Sequence, residues 1–89
     1  MSPFDTHPAF RSDRPRSLQR QDLNAIRAVC PLEASEACAA VWRAMQDEAA
    51  VGAALAALKA LPLAIQSQIH TDSIAFLAAP SLQARRRAA

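Results

Sequence analysis

The sequence predicts an all-α protein, a small bundle of three to four short helices with a flexible N-terminal arm and a basic C-terminal tail. Apolar residues recur at spacings of three and four along residues 17–80, which is typical of helices that bury one face. Prolines at positions 31, 62 and 80 divide this region into helix-sized segments. The 89 residues suffice for one domain but not for two.

Residues 1–16 precede the helical region and show no apolar period. They hold three prolines and scattered charges, so we expect a flexible arm. Phe4 and Phe10 allow two interpretations: aromatic residues in a disordered segment, or anchors that dock on a partner when the arm folds. The predicted organisation is an arm over 1–16, a single helical domain over 17–80 and a basic tail over 81–89.

The first helix is expected over residues 18–29. Ser17 is its candidate N-cap, because a serine hydroxyl can accept a hydrogen bond from the free amides of the first turn. Pro31 cannot donate the hydrogen bond that a helix interior requires, so the helix should end before it.

The second helix is expected to begin with Pro31 in its first turn. Its apolar face consists of Ala34, Ala37, Cys38, Val41, Trp42 and Met45. Trp42 is the largest side chain of the protein, and we expect it at the centre of the core or of an interface.

A third helix is predicted after Asp47, which can cap it. Its apolar face consists of Val51, Ala54, Leu55, Leu58 and Leu61. Gly52 is unfavourable in a helix and is expected to mark a close helix contact or a bend. The alternative is one long helix over 33–60, kinked near 48–52. We prefer the hairpin of two helices.

The fourth helical segment is expected to begin at Pro62 and to end before Pro80. Its broad apolar face consists of Leu63, Ile65, Ile69, Ile74, Phe76 and Leu77. Thr71, Asp72 and Ser73 are all good capping residues, so the segment can also divide into 62–70 and 73–79.

Cys30 and Cys38 are the only cysteines. A small secreted domain held by disulfides would normally have four or more, so we expect two reduced, packed thiols and a cytoplasmic location. A disulfide or redox switch is the alternative.

The sequence contains no candidate catalytic site. A single glycine excludes a phosphate-cradling loop, and the spacing of cysteines and histidines matches no zinc motif. His70, Asp72 and Ser73 are neighbours on a helix and point in different directions, so they cannot form a triad. A pH-responsive interface residue is the alternative interpretation of His70. We therefore expect no catalytic residue, metal, cofactor or small-molecule substrate.

The net charge of +2 is unevenly distributed. Residues 1–20 carry a net +2, residues 21–84 a net −3, and Arg85, Arg86 and Arg87 add +3. These three arginines are candidates for phosphate contact, but an acidic helical body makes nucleic-acid binding the secondary hypothesis. No apolar run reaches the ~18 residues of a membrane span.

The sequence favours a non-enzymatic interaction module, such as an accessory subunit, adaptor or chaperone of a bacterial assembly. Small domains without disulfides or metals often need oligomerisation to be stable, and these apolar faces exceed what a two-helix contact covers. The partner is expected to be another protein or a second copy of the chain, with its identity and the oligomeric state left open. The predicted binding residues are Val41, Trp42, Met45, Leu55, Leu58, Ile65, Ile69 and Phe76.

Overall fold

The computed structural model describes residues 2–78. These residues form four α-helices: α1 (Arg16–Val29), α2 (Ser35–Gln46), α3 (Val51–Lys59) and α4 (Leu63–Ala78). Short 3-10 helices lie at Pro3–Thr6, Pro8–Phe10, Leu32–Ala34 and Glu48–Ala50, and this part of the chain contains no β-strand. The predicted all-α bundle is thus confirmed. None of the helices in this range combines the length and apolar character that crossing a membrane requires.

Helices α1 and α2 run antiparallel. At one end the Arg16 guanidinium donates to the Ala44 carbonyl at 2.6 Å, and at the other the Cys38 thiol lies 3.9 Å from the Arg27 carbonyl oxygen. Helix α1 begins at Arg16, with Pro15 at the N-cap position and no side-chain cap. The predicted cap at Ser17 is therefore incorrect. Proline at 15 already fixes the φ angle at which the helix starts.

Helices α2 and α3 form the predicted hairpin rather than one kinked helix. Asp47 ends α2, and its carboxylate accepts a hydrogen bond from the Ala49 amide at 3.0 Å. This hydrogen bond satisfies one of the first amides of the turn that leads into α3, which have no acceptor within their own helix. Gly52 does not mark a close contact, because a Cβ at this position would meet nothing within 4 Å.

Helix α4 is continuous from Leu63 to Ala78, so the predicted alternative of a division near residues 71–73 is not observed. Ser73 is fully buried, and its hydroxyl donates to the His70 carbonyl at 2.9 Å within the helix. A serine that hydrogen-bonds back to its own helix does not need to act as a cap. Pro80 and the basic tail, including Arg85, Arg86 and Arg87, lie outside the described residues.

Helix α1 packs against both α2 and α4, and the core lies between the three helices and α3. The larger buried apolar side chains are Phe4, Leu23, Ile26, Val41, Leu58, Ile69 and Phe76. Buried alanines fill the remaining positions, which allows the helices to approach closely.

The structure differs from the expectation of a flexible arm in residues 2–10. Phe4, His7 and Ala9 are fully buried against the helices. Pro3 and Pro8 each begin a 3-10 turn, since proline has the φ angle that such a turn requires. The aromatic ring of Phe4 supplies the apolar surface that holds the segment in place. The arm therefore packs as part of the domain.

Polar contacts fasten this N-terminal segment at a second point. The Ser2 hydroxyl donates to the Gln66 side-chain oxygen at 2.5 Å, while the Gln66 amide nitrogen donates to the carbonyls of Lys59 and Leu61 at 3.0 and 2.6 Å. Gln66 is buried and so connects the first residues, the end of α3 and the start of α4.

Candidate functional site

The structure contains three groupings that can be considered as sites: a buried pair of histidines, the two cysteines, and an exposed tryptophan with the surface around it. The first combines residue types found in catalytic centres. His7 Nε2 lies 2.8 Å from the Ser73 hydroxyl, and the His7 and His70 rings are 5.2 Å apart, edge to face. The sequence interpretation placed His7 in the arm and did not connect it with Ser73.

The hydrogen bonds of His7 determine which ring nitrogen carries the proton. The Ala9 amide donates to Nδ1 at 3.1 Å, so Nδ1 has no hydrogen and the proton is on Nε2. Nε2 therefore donates to the Ser73 oxygen, whose own hydrogen goes to the His70 carbonyl. This is the reverse of a serine activated by a histidine base, where the imidazole accepts the hydroxyl proton. The arrangement fixes α4 to the N-terminal segment.

Burial also keeps His7 neutral. Burial, and to a smaller degree the nearby His70, lower the pKa of His7 from 6.5 to about 4. Protonation would place a hydrogen on Nδ1, where the Ala9 amide already points. Phe4 and Phe10 contribute aromatic edges and faces to the same cluster. These residues act as a polar element of the core.

Cys30 and Cys38 are free thiols at the junction of α1 and α2. Burial raises the pKa of the Cys30 thiol to about 12, and the neighbouring Cys38 adds to this by its charge and by a hydrogen bond between the thiols. A thiol with so high a pKa supplies very little thiolate at neutral pH and is a poor nucleophile. Within residues 2–78, no cluster of three or more His, Cys, Asp or Glu side chains could hold a metal ion.

The third grouping is centred on Trp42, which lies on the surface formed by α1 and α2. Its side chain is 48% exposed, although it is the largest in the chain. The Arg27 guanidinium carbon lies 5.2 Å from the centre of the Trp42 ring, a cation–π contact across the two helices. Arg27 is held there by a 2.9 Å hydrogen bond to the Asn24 side chain.

A surface pocket of about 490 Å³ lies beside Arg27 and Trp42. It is lined by Ser17, Arg20, Gln21, Asn24, Met45, Phe76 and Leu77. Asn24 and Met45 are each one helical turn from Arg27 and Trp42 respectively, so pocket and tryptophan form one continuous strip along α1 and α2. We call these nine residues the α1–α2 surface, although two of them, Phe76 and Leu77, lie near the end of α4. It combines apolar side chains with neutral polar groups and two arginines.

The eight binding residues predicted from the sequence are distributed between core and surface. Three of them, Val41, Leu58 and Ile69, are fully buried, and Phe76 is nearly so. Three others, Met45, Leu55 and Ile65, are partly buried against the core. Trp42 alone is exposed. Most of the apolar faces are therefore used within the chain, because α3, α4 and the N-terminal segment cover more of them than a two-helix contact would.

Other exposed apolar residues lie apart from the α1–α2 surface, and they are not among the binding residues predicted from the sequence. Leu32 is 92% exposed and Leu63 is 61% exposed, and both are next to a proline. A second depression, of about 370 Å³, lies near Leu32 and includes Glu33 and Glu36 in its lining. It is therefore acidic, in contrast to the pocket beside Trp42.

No known protein family, curated protein or solved structure matches the chain.

Proposed function

We propose that this protein is a non-enzymatic protein–protein interaction module that binds its partner through the α1–α2 surface. It would serve as a small accessory subunit, adaptor or chaperone in the cytoplasm of a bacterium. The exposure of Trp42 carries the proposal. Tryptophan and arginine are among the residues most enriched at the positions that dominate binding energy in protein interfaces, and here they lie in contact on the surface.

The burial of its neighbour sets Trp42 apart. Val41 is fully buried, whereas Trp42 on the next face of α2 is 48% exposed. The core thus takes the smaller side chain and leaves much of the indole in contact with solvent. A tryptophan that is half exposed buries only part of its apolar surface in the monomer, which is consistent with use in binding.

Nucleic-acid binding is the second candidate function, and the N-terminal arginines do not favour it. Arg14 makes two hydrogen bonds to the buried Asp22 carboxylate, at 2.8 and 3.2 Å, and Arg11 forms an ion pair with Asp13 at 3.2 Å. Arginines that already have carboxylate partners attract phosphates weakly. The other candidates for phosphate contact, Arg85, Arg86 and Arg87, are outside the described residues.

Photo-crosslinking in the native cell tests the proposal. A photoreactive phenylalanine analogue replaces Trp42 in one variant and Leu63 in a matched control, since Leu63 is also exposed but lies away from the α1–α2 surface. We expect a discrete protein adduct from position 42 that position 63 does not give. An adduct of twice the chain mass would identify a second copy as the partner.

Two outcomes would overturn the proposal. One is the absence of any position-specific adduct at 42 under conditions where the full chain is folded by circular dichroism. The other is an adduct at 42 that nuclease digestion removes, because this would place nucleic acid on the surface.

A further inference from the structure

The charge of helix α1 points to the chemistry of the partner. The helix carries three arginines and a single carboxylate, Asp22. Asp22 is only 1% exposed, and the Arg14 guanidinium covers it with two hydrogen bonds. The solvent-facing side of α1 therefore presents positive charge without a competing carboxylate.

Two of those arginines, Arg20 and Arg27, belong to the α1–α2 surface. They are separated by seven residues, or two turns of α1, which corresponds to about 10 Å along the helix. Among residues 2–78, Arg20 is the only charged residue that lines the pocket. Within residues 2–78 its guanidinium makes no ion pair or hydrogen bond, so it is available to a ligand.

Between the two arginines lies the apolar part of the surface. Met45 lines the pocket next to Arg20, and Trp42 lies under Arg27. Asn24 stands between the arginines and offers a neutral hydrogen-bonding group. The order along the strip is thus cation, apolar pocket, indole, cation.

We propose that the α1–α2 surface binds an acidic amphipathic helix of a partner protein, an inference that rests on the proposed function. Carboxylates seven positions apart on that helix would pair with Arg20 and Arg27. Apolar side chains three or four positions after the first carboxylate would enter the pocket and cover Trp42. An amphipathic helix in a groove is a common recognition mode, and charge complementarity decides which helices are accepted.

The second depression, between the start of α2 and the end of α3, would not accept the same partner. Its lining includes Glu33 and Glu36, and these carboxylates would repel an acidic helix. An acidic partner is thereby directed to α1 and α2. A basic helix would be directed the other way.

A peptide-display selection on the full-length protein tests this inference. The library consists of amphipathic helices with leucine and phenylalanine on one face, and with the polar positions varied among glutamate, glutamine and lysine. We expect glutamate to be enriched over lysine, most strongly at pairs of positions seven apart. Parallel selections use the variants R20Q and R27Q, and R43Q as the matched control, because Arg43 is exposed on α2 but outside the α1–α2 surface.

Binding of the selected peptides can be measured through the protein itself. Trp42 is the only tryptophan and the chain has no tyrosine, so its fluorescence reports directly on this surface. We expect R20Q and R27Q each to weaken binding about two- to fivefold, as for exposed ion pairs, and R43Q to leave it unchanged within about twofold. Affinity should also fall as the salt concentration rises, since salt screens exposed charges.

The inference is overturned if glutamate is not enriched, or if R20Q and R27Q bind the selected peptides as well as R43Q does. Tighter binding of a single-stranded oligonucleotide than of any selected peptide, with the same loss in R20Q and R27Q, would also overturn it. A native partner that crosslinks at position 42 but binds R20Q and R27Q normally would contradict only the acidic specificity. The proposed function would then stand.

Discussion

His7 and Ser73, 66 positions apart in the sequence, share a buried hydrogen bond of 2.8 Å that joins the N-terminal segment to α4. The bond requires a neutral imidazole with its proton on Nε2, because the Ala9 amide occupies Nδ1. The N-terminal segment is therefore held to the bundle by a contact that depends on pH.

Acidification should destabilise the fold through His7. Its pKa falls from 6.5 to about 4 on folding, so the unfolded chain takes up a proton more readily than the folded one. This part of the stability is complete above pH ~6.5 and is lost as the pH falls towards 4. The shift corresponds to about 3 kcal/mol in the free energy of unfolding. Urea titrations at pH 7.5, 5.5 and 4.5 measure it.

The variant H7N isolates this effect. Asparagine can still accept from the Ala9 amide, as a good capping residue, but does not titrate. H7N should therefore be less stable at pH 7.5 and show a much flatter dependence between pH 7.5 and 4.5. An unchanged slope in H7N would show that other groups cause the acid sensitivity.

Removing the ring of Phe4 should destabilise the whole bundle. Phe4 is fully buried in the core cluster, and replacing a buried phenylalanine with alanine costs about 3–5 kcal/mol. The control is L32A, since Leu32 is 92% exposed and surface replacements usually stay within about 0.5 kcal/mol. Chemical denaturation of both variants checks this. Equal stability of F4A and L32A would mean that residues 2–10 do not pack on the helices.

The helices could be predicted because their signals are local. Pro31 and Asp47 act on their own backbone neighbours, and the spacing of the apolar residues fixes which positions are helical. The N-terminal segment could not be predicted in this way. Phe4 has no apolar period around it, and its burial depends on α4, more than 60 residues away.

The candidate site shows the same division between local and distant information. The apolar stripe predicted for α2 includes Trp42, but the stripe is wider than the core it covers. Which edge of it stays exposed depends on where α1 and α3 pack. The contact of Arg27 with Trp42 arises only from the antiparallel pairing of α1 and α2, for which no sequence motif exists.

Replacing Gly52 with alanine should stabilise the protein by about 0.5–1 kcal/mol. Gly52 lies within α3 at a negative φ angle, and a methyl group there would meet no atom within 4 Å. Alanine restricts the unfolded chain more than glycine does and favours the helix. Thermal and urea denaturation measure the change. Destabilisation by G52A would show that the glycine is required for the close approach of another chain, because the monomer places no atom near this position.

Cys30 should react slowly with thiol reagents in the folded protein. Burial raises its pKa to about 12, so its thiolate fraction at pH 8 is very small. Burial is the largest cause of this shift and remains in the variant C38S, where Cys30 is the only thiol. We therefore expect maleimide labelling of C38S at least about 100-fold slower in the folded protein than after unfolding in urea. Similar rates in both states would contradict the burial of Cys30.

The adjacent residues Val41 and Trp42 separate folding from binding. Val41 is fully buried, so V41A should lower the free energy of unfolding by about 1–3 kcal/mol. Trp42 is half exposed and contributes mainly its contact with Arg27, so W42A should cost about 1 kcal/mol or less. Partner capture should change in the opposite order, being lost in W42A and kept in V41A at temperatures where V41A is folded. A loss of stability in W42A as large as in V41A would show that the indole is part of the core. The position of Trp42 would then be explained by folding alone and would no longer indicate a binding partner.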